Sequence, residues 1–411
     1  MLTAIPRYGA RVIPNTEQTI DALRKEGQLV HGPHIAAFEH AFAVQVGASH
    51  AVSASYGRMA FYYLLEALGI PPGSEVILPA LTFWVIPEIT RAAGLKPVFA
   101  DVDPVTFNLD PDAFERAITP RTRAVVPTHL YGLPCDMEAI LHIARRHRLV
   151  VIEDCAHALG ATWQGRPVGT LGDAGFFSFQ LLKPLNTYGG GMLVTNNAEV
   201  ASRALALSRS EPSPSEADVQ QRLRVGRVQR IAIRPGVFTA SLFPVLWASS
   251  FFQATPDVYL WEKIRSLNPL PASYRRRYSN AQAAIGLEAL KHLHEWTAGT
   301  VSHAQALTAA LDRSGVATPE VPCGRTHVFY QYAVYASERS HVVQHCLRHG
   351  VDVESLHVDV CTRLPLFGNG HAPAPGADRA ATAIQLPVYA SLSPEAVRRI
   401  ATVVGEAVTS T

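Results

Sequence analysis

Between Ala51 and Asn196 the chain alternates short apolar runs with helix-length stretches, and this rhythm constrains the fold more than any other feature. Glu75-Val-Ile-Leu-Pro79, Pro97-Val-Phe-Ala-Asp101, Arg123-Ala-Val-Val-Pro127 and Leu149-Val-Val-Ile-Glu153 are apolar or β-branched and bounded by Gly, Pro or charge, which is how buried strands read. Helical stretches lie between them: Arg58 to Leu68 closed by Gly69, Pro111 to Ile118 entered through Asp110, and Asp136 to Arg146 entered at an Asp. Asp accepts the free N–H groups of a first helical turn, and Gly tolerates the left-handed exit from the last one. The alternation predicts an α/β fold, a mostly parallel sheet covered by helices.

Further along, Ala161 to Trp163 and Arg166 to Val168, joined by Gln164-Gly165, predict a small hairpin. Residues 209–226 are polar and rich in Ser and Pro, and predict an exposed loop. Beyond them the sequence predicts a helix around Ala281 to Trp296, a strand around Tyr330 to Tyr335, a helix around Ser340 to His349 and a last helix from Pro394 to Ala407. The expected division is a large unit over residues 1–275, with an N-terminal arm and an apolar insertion around 227–262, and a smaller C-terminal α/β unit over 276–411.

Composition excludes several classes. With 36 Lys and Arg against 34 Asp and Glu, the formal charge of +2 gives no field for nucleic acid. Five scattered cysteines without a CxxC pair argue against a disulfide framework or a thiolate metal site, so no metal is expected and a reducing cytoplasm fits. The N-terminus lacks the pattern of a secretory signal, and the mature chain is expected to begin at or near Met1. Gly236 to Phe252 carries no charge and follows Arg227, Arg230 and Arg234, but falls short of the roughly 20 residues of a spanning helix and is interrupted by Pro244. It reads as a subunit-interface or core helix, with peripheral membrane contact through 236–252 as the alternative.

Three signatures carry chemistry. Ser53-Ala-Ser-Tyr-Gly57-Arg58-Met59 is a small-residue turn opening a helix, where free N–H groups and the positive dipole end can hold a phosphate; by itself such a Gly is more often a plain turn. Val151-Ile-Glu153-Asp154-Cys155-Ala156-His157 ends a strand in an acid pair, delivering Asp154 to the ligand crevice at the strand's carboxyl end, where it could pair with a protonated ring nitrogen. Alone, the motif more often has the Asp capping the following turn and His157 as a hydrogen-bonded interior histidine. Between Gly175 and Met192 a single lysine, Lys183, lies among apolar residues before the triplet Gly189-Gly190-Gly191. Desolvation lowers a lysine's pKa and exposes its lone pair, as Schiff-base chemistry requires.

In this order, and together with PGSEVILPALTF, Asp101 to Pro104, His129 to Gly132, EDCAHALGA, FSFQLLKPLNTYGGG and SNAQAAIGLEAL, the chain resembles the DegT/DnrJ/StrS aminotransferases, a group of fold-type I pyridoxal 5'-phosphate (PLP) enzymes. The resemblance covers most of the chain. It implies that Lys183 is the Schiff-base lysine and proton shuttle, that Asp154 keeps the pyridine nitrogen protonated, and that His157 sits beside the ring. It further implies that Phe83 stacks on the ring, and that Ser178 binds the phosphate with Gly57 and Arg58. Tyr188 and His357 are expected near the substrate.

Relatives read Ser-Gly-Thr where this chain has Tyr56-Gly57-Arg58, and carry a partner-donated Asn where it has Arg275. Guanidinium forks suit phosphate oxygens, so Arg58, and Arg275 from a neighbouring subunit, are expected on the cofactor phosphate. For Arg275 a surface role within Arg275-Arg276-Arg277 remains the alternative. Gly190 stands where many sugar aminotransferases carry an acid.

The resemblance implies a cytoplasmic homodimer with shared active sites that moves an amino group from glutamate or glutamine to a ketone or aldehyde, a keto sugar nucleotide by family habit. The alternatives are a hydrophobic or membrane-presented oxo compound as acceptor, a PLP-dependent dehydratase, which in related sugar enzymes has His in place of the lysine, and a non-catalytic PLP-binding regulator.

Overall fold

The computed structural model describes residues 3–9, 11–251, 262–355 and 357–409. Seven strands make the central sheet: β1 His50–Ala54, β2 Glu75–Pro79, β3 Lys96–Ala100, β4 Thr122–Val125, β5 Val150–Asp154, β6 Ala174–Ser178 and β7 Gly191–Thr195. Their spatial order is β1-β7-β6-β5-β4-β2-β3. Every pairing is parallel except the two made by β7. This is the expected α/β fold with a mostly parallel sheet. Helices cover both faces, so strands such as β2 are buried at every position and read as unbroken apolar runs.

The local signals act where the sequence places them. The Asp110 carboxylate accepts from Asp112 N, and that of Asp136 from Ala139 N, each capping a first turn. The hairpin forms from Thr162–Trp163 and Arg166–Pro167.

Two expectations are corrected. Residues 209–226 are mostly helical: one helix runs to Ser210 and another spans Glu216–Ala232. Ser215 Oγ accepts from Asp218 N at 3.1 Å while the Asp218 carboxylate accepts from Ser215 N at 3.0 Å, a reciprocal cap that starts the second helix. Val219, Leu223 and Gly226 then form its buried stripe. The helix expected over Ala281 to Trp296 spans Asn280–Asp312, because Thr300, Ala304, Leu307 and Leu311 continue the buried face.

That long helix joins two cores. Its first half, through Ala281, Ala289 and Leu293, packs with Phe38, Phe42 and Phe177 against the large sheet. Its second half, through Leu307 and Leu311, packs with Val342, Cys346, Ile384, Ile400 and Val404. The C-terminal core is built on the antiparallel pair Tyr332–Tyr335 and Ala383–Leu386 and the helices Arg339–Arg348 and Pro394–Thr409. Ala4 and Ile5 from the N-terminus also belong to it.

The apolar stretch from Gly236 to Phe252 forms two short helices, Pro235–Ala240 and Phe243–Ser249, with Pro244 in the first turn of the second. Phe252 lies outside the described residues. Among the described residues no helix is long and apolar enough to cross a membrane.

Candidate active site

The carboxyl ends of β1, β5 and β6 converge on a cavity of about 440 Å³. Gly57, Arg58, Phe83, Asp154, His157, Ser178, Lys183 and His357 all line it. Residues from the C-terminal part reach it because Asp359–Val360 pairs antiparallel with Leu81–Thr82, which carries Glu354 and His357 across the cavity mouth.

Lys183 lies in the loop between β6 and β7. The loop is closed at its base by Phe179 N donating to Gly190 O at 2.9 Å and Gly189 N to Phe179 O at 3.0 Å. The lysine Nζ lies 3.4 Å from Tyr330 Oη and 4.8 Å from the centre of that ring. Burial lowers its pKa from 10.5 to about 8; Asp154 and Glu354 resist the fall, and Arg58 adds to it. An amine in that range is neutral often enough to act as a nucleophile and a base.

Asp154 closes β5, with its carboxylate accepting the N–H of Ala156 at 3.0 Å. Burial raises its pKa from 3.8 to about 6, against the opposing pull of the Ala156 N–H and Lys183. Behind it, the buried Glu153 accepts N–H groups from Gly169, Leu171 and Gly172 and meets His129 Nε2 at 3.0 Å. His129 Nδ1 accepts from Cys135 N, so the ring proton sits on Nε2 and donates to Glu153. Although Glu153, His129 and Cys155 come together like metal ligands, both oxygens of Glu153 are committed to holding the 169–172 loop, which reads as a latch behind Asp154.

The helix Gly57–Ala67 points its N-terminus into the cavity from the end of β1. A Cβ at Gly57 would lie 2.8 Å from Ser178 Cβ and 3.0 Å from Phe177 O, so only glycine lets the helix start this close to β6. Beside it, Arg58 Nη2 pairs with Glu262 Oε2 at 2.7 Å, and Nη1 lies 2.6 Å from Tyr274 Oη, itself a donor to Glu262 at 2.5 Å. The arginine expected on a phosphate thus faces the cavity with its charge answered by a carboxylate.

On the opposite wall Tyr8 Oη donates to Glu354 at 2.5 Å, His357 Nδ1 lies 3.0 Å from the same carboxylate oxygen, and Gln331 donates to it at 3.2 Å. His157 stacks on Tyr330 at 4.2 Å. Burial, with Lys183 and His357, pushes its pKa well below 6.5, so the ring is neutral. Phe83 faces the cavity while its neighbour Trp84 is fully buried in the core beside it.

Two sequence-predicted residues are not among those lining the cavity. Tyr188 is buried, with Gly226 against its ring and the Arg230 guanidinium 5.5 Å from the ring centre. Arg275 pairs with Glu211 at 3.1 Å, its side chain 56% exposed. Gly190 is explained sterically: a Cβ there would meet the Tyr278 ring at 2.3 Å, so the acid that relatives carry has no room. Tyr8, Tyr330, Glu354, Glu262 and Tyr274 were not singled out from sequence. Glu354 stands three residues from His357 and Tyr274 next to Arg275, each beside a residue the sequence does single out.

The site fits PLP. Three buried polar atoms, His157 Nδ1, Thr82 Oγ1 and Thr128 Oγ1, belong to lining residues and have no protein partner, as expected where a polar ligand completes the set. Gly57, Ser178 and Arg58 would hold a phosphate, Asp154 a ring nitrogen, and Lys183 an aldehyde carbon.

Comparison with known proteins agrees. The model of the DegT/DnrJ/EryC1/StrS aminotransferase family matches residues 12–232 and 252–405. A protein of Geobacillus stearothermophilus called pleiotropic regulatory protein is 33% identical over 390 residues, 93% of this chain and 91% of its own length. The UDP-2-acetamido-2-deoxy-3-oxo-D-glucuronate aminotransferase of Pseudomonas aeruginosa is 30% identical over 394 residues, 95% of each. The crystal structure of the aminotransferase TlmJ from Streptoalloteichus hindustanus superposes with a TM-score of 0.80 at 27% identity, covering 99% of both chains. A single lysine and a buried aspartate in one cavity, on this fold, thus have their explanation: the chain belongs to the DegT/DnrJ/EryC1/StrS family and is a PLP-dependent aminotransferase.

Proposed function

We propose that the enzyme moves an amino group from glutamate or glutamine to the carbonyl of a nucleotide-linked keto sugar. The observation that carries the reading is Lys183, an amine brought down to about 8 by burial and set in one cavity with Asp154. The full-length P. aeruginosa relative, named for an oxo sugar joined to UDP, supports the acceptor class. PLP, when bound, supplies an aldehyde that holds the substrate amine and a ring that takes up the electron pair left when a proton leaves the substrate carbon.

Each protein group has a task. Asp154 holds a proton at the pyridine nitrogen, which keeps the ring able to accept charge. Lys183 Nζ takes the proton from the substrate carbon and returns it. Ser178, the helix N-terminus at Gly57 and Arg58 hold the phosphate; Phe83 and the neutral His157 fix the ring plane. His357, oriented by Glu354 and Tyr8, faces the substrate side of the cavity. Over both halves of the cycle, amino acid and oxo acceptor become oxo acid and amino product, in ping-pong order.

Retention of Lys183 argues against the dehydratase reading, in which related enzymes have His. It also argues against a purely regulatory role, despite the printed name of the Geobacillus relative. The homodimer is part of the reading: Arg275 is largely exposed in one chain, as a residue offered to a partner's phosphate would be.

The test is the visible spectrum of the PLP-loaded enzyme. Glutamate or glutamine should bleach the yellow band, and a UDP- or dTDP-linked keto hexose should restore it with an amino sugar as product. Bleaching followed by restoration only with a lipophilic ketone overturns the sugar assignment; no bleaching by any amino acid overturns transamination.

A further inference from the structure

We propose that the face formed by the Glu216–Ala232 helix and the two short helices after it docks on an anionic lipid bilayer, with its arginines at the headgroups and its apolar side chains in the interface. The family match breaks off at residue 232 and resumes at 252, so 233–251 lies outside what the family model describes. Its inner side is already used: Phe238 and Leu246 are buried in the C-terminal core, with Leu242 and Phe243 packed against it. Its outer side is nonetheless apolar. Val245 is 68% exposed, Phe251 55% and Trp247 45%, the last two in edge contact at 4.9 Å. The preceding helix continues the patch with exposed Val225, Val228 and Ile231, spaced three residues apart along one face. Isolated exposed apolar residues need no explanation, but a set gathered between Val225 and Phe251 does.

Charge identifies the occupant. From Val219 to Phe251 there is no Asp or Glu, and there are five arginines. Arg222 reaches Tyr56, Arg227 pairs with Glu17 and Arg230 is buried against Tyr188. Arg224 and Arg234 are exposed beside the apolar residues. Aromatic and aliphatic side chains flanked by arginine, without acid, are what an anionic lipid surface retains. A second copy of the chain fits less well. Two-fold symmetry sets the same patch against itself, and beyond Glu216 and Asp218 in the first turn of the helix the stretch to Phe251 offers no carboxylate to answer Arg224 and Arg234. The same helix presents Gln229 to the cavity, so docking through it would bring the cavity close to the membrane surface.

The experiment is sedimentation of the PLP-loaded enzyme with vesicles of phosphatidylcholine, with and without phosphatidylglycerol. The arms are the wild type, V245D/W247D and R224Q/R234Q, with light-scattering mass and transamination of a soluble acceptor measured for each. The wild type should sediment with the anionic vesicles and not with phosphatidylcholine alone. V245D/W247D should lose binding at least tenfold, and R224Q/R234Q should lose its preference for anionic lipid, both at unchanged mass and unchanged activity. No binding to either vesicle overturns the proposal. So does a fall in oligomeric mass in V245D/W247D, which would make the patch an interface between copies. Because activity is read separately, neither result bears on the acceptor assignment.

Discussion

Replacing Asp154 with Asn should make the cofactor-free enzyme more stable while making it a worse enzyme. Burial raises the Asp154 pKa from 3.8 to about 6, so the folded chain binds this proton more tightly than the unfolded chain does. Below the unfolded value both states are protonated and nothing is lost. Between the two values the unfolded chain ionises first, and folding loses about 1.4 kcal/mol per pH unit. Above the folded value the loss is constant, about 3 kcal/mol for this difference. Asn is nearly isosteric, its amide oxygen can still accept from Ala156 N, and it has no charge to desolvate. Urea titration of the PLP-free enzyme should therefore show D154N ahead by up to about 3 kcal/mol at pH 8, the lead shrinking below pH 6 and vanishing near pH 4. Added PLP should reverse the order, because only the carboxylate gains a charge-assisted hydrogen bond to the ring nitrogen. A D154N enzyme no more stable than wild type at pH 8, or a lead that does not vary with pH, would refute the reasoning.

Three further outcomes follow from the site. Since burial lowers Lys183 from 10.5 to about 8, the rate of PLP loading, followed by absorbance, should rise about tenfold per pH unit below 8 and level off above it; a flat profile contradicts this. Gly57→Ala puts a Cβ 2.8 Å from Ser178 Cβ, so the helix start must shift away from β6; this should weaken PLP binding by about tenfold, or about 1.4 kcal/mol, and lower the melting temperature of the PLP-free enzyme as well. Unchanged affinity by fluorescence titration would place the phosphate elsewhere. Glu262→Gln removes the carboxylate that occupies Arg58 at 2.7 Å, and should tighten PLP binding by about tenfold; weaker binding would instead make Glu262 a scaffold for the arginine.

The parts of the fold legible from sequence are those governed by local rules. β2 to β5 were readable because strands of a sheet covered on both faces are largely apolar, and the Asp110 and Asp136 caps because they act within one turn. The Glu216–Ala232 helix was hidden because Ser and Pro composition spoke louder than the Ser215–Asp218 cap and a sparse buried stripe of Val219, Leu223, Gly226 and Arg230. Half of the Asn280–Asp312 helix was missed because its buried face changes partner midway, from the sheet to the C-terminal core.

The site divides in the same way. Gly57, Asp154, Ser178 and Lys183 sit at strand ends, where the backbone alone aims them into one crevice. Tyr8 and Glu354 meet across 346 positions of sequence, and Tyr330 reaches Lys183 across 147, so no local pattern announces them. The partner of Arg58 was equally illegible, since Glu262 lies 204 residues away.

The most direct test is chemical trapping at the lysine. The PLP-loaded enzyme, reduced with borohydride, digested and examined by mass spectrometry, should carry the pyridoxyl group on Lys183, in the peptide from Phe179 to Met192, and a Lys183→Ala enzyme should carry none there. A label on another lysine, or full activity in the alanine variant, would contradict the assignment of this amine to the reaction.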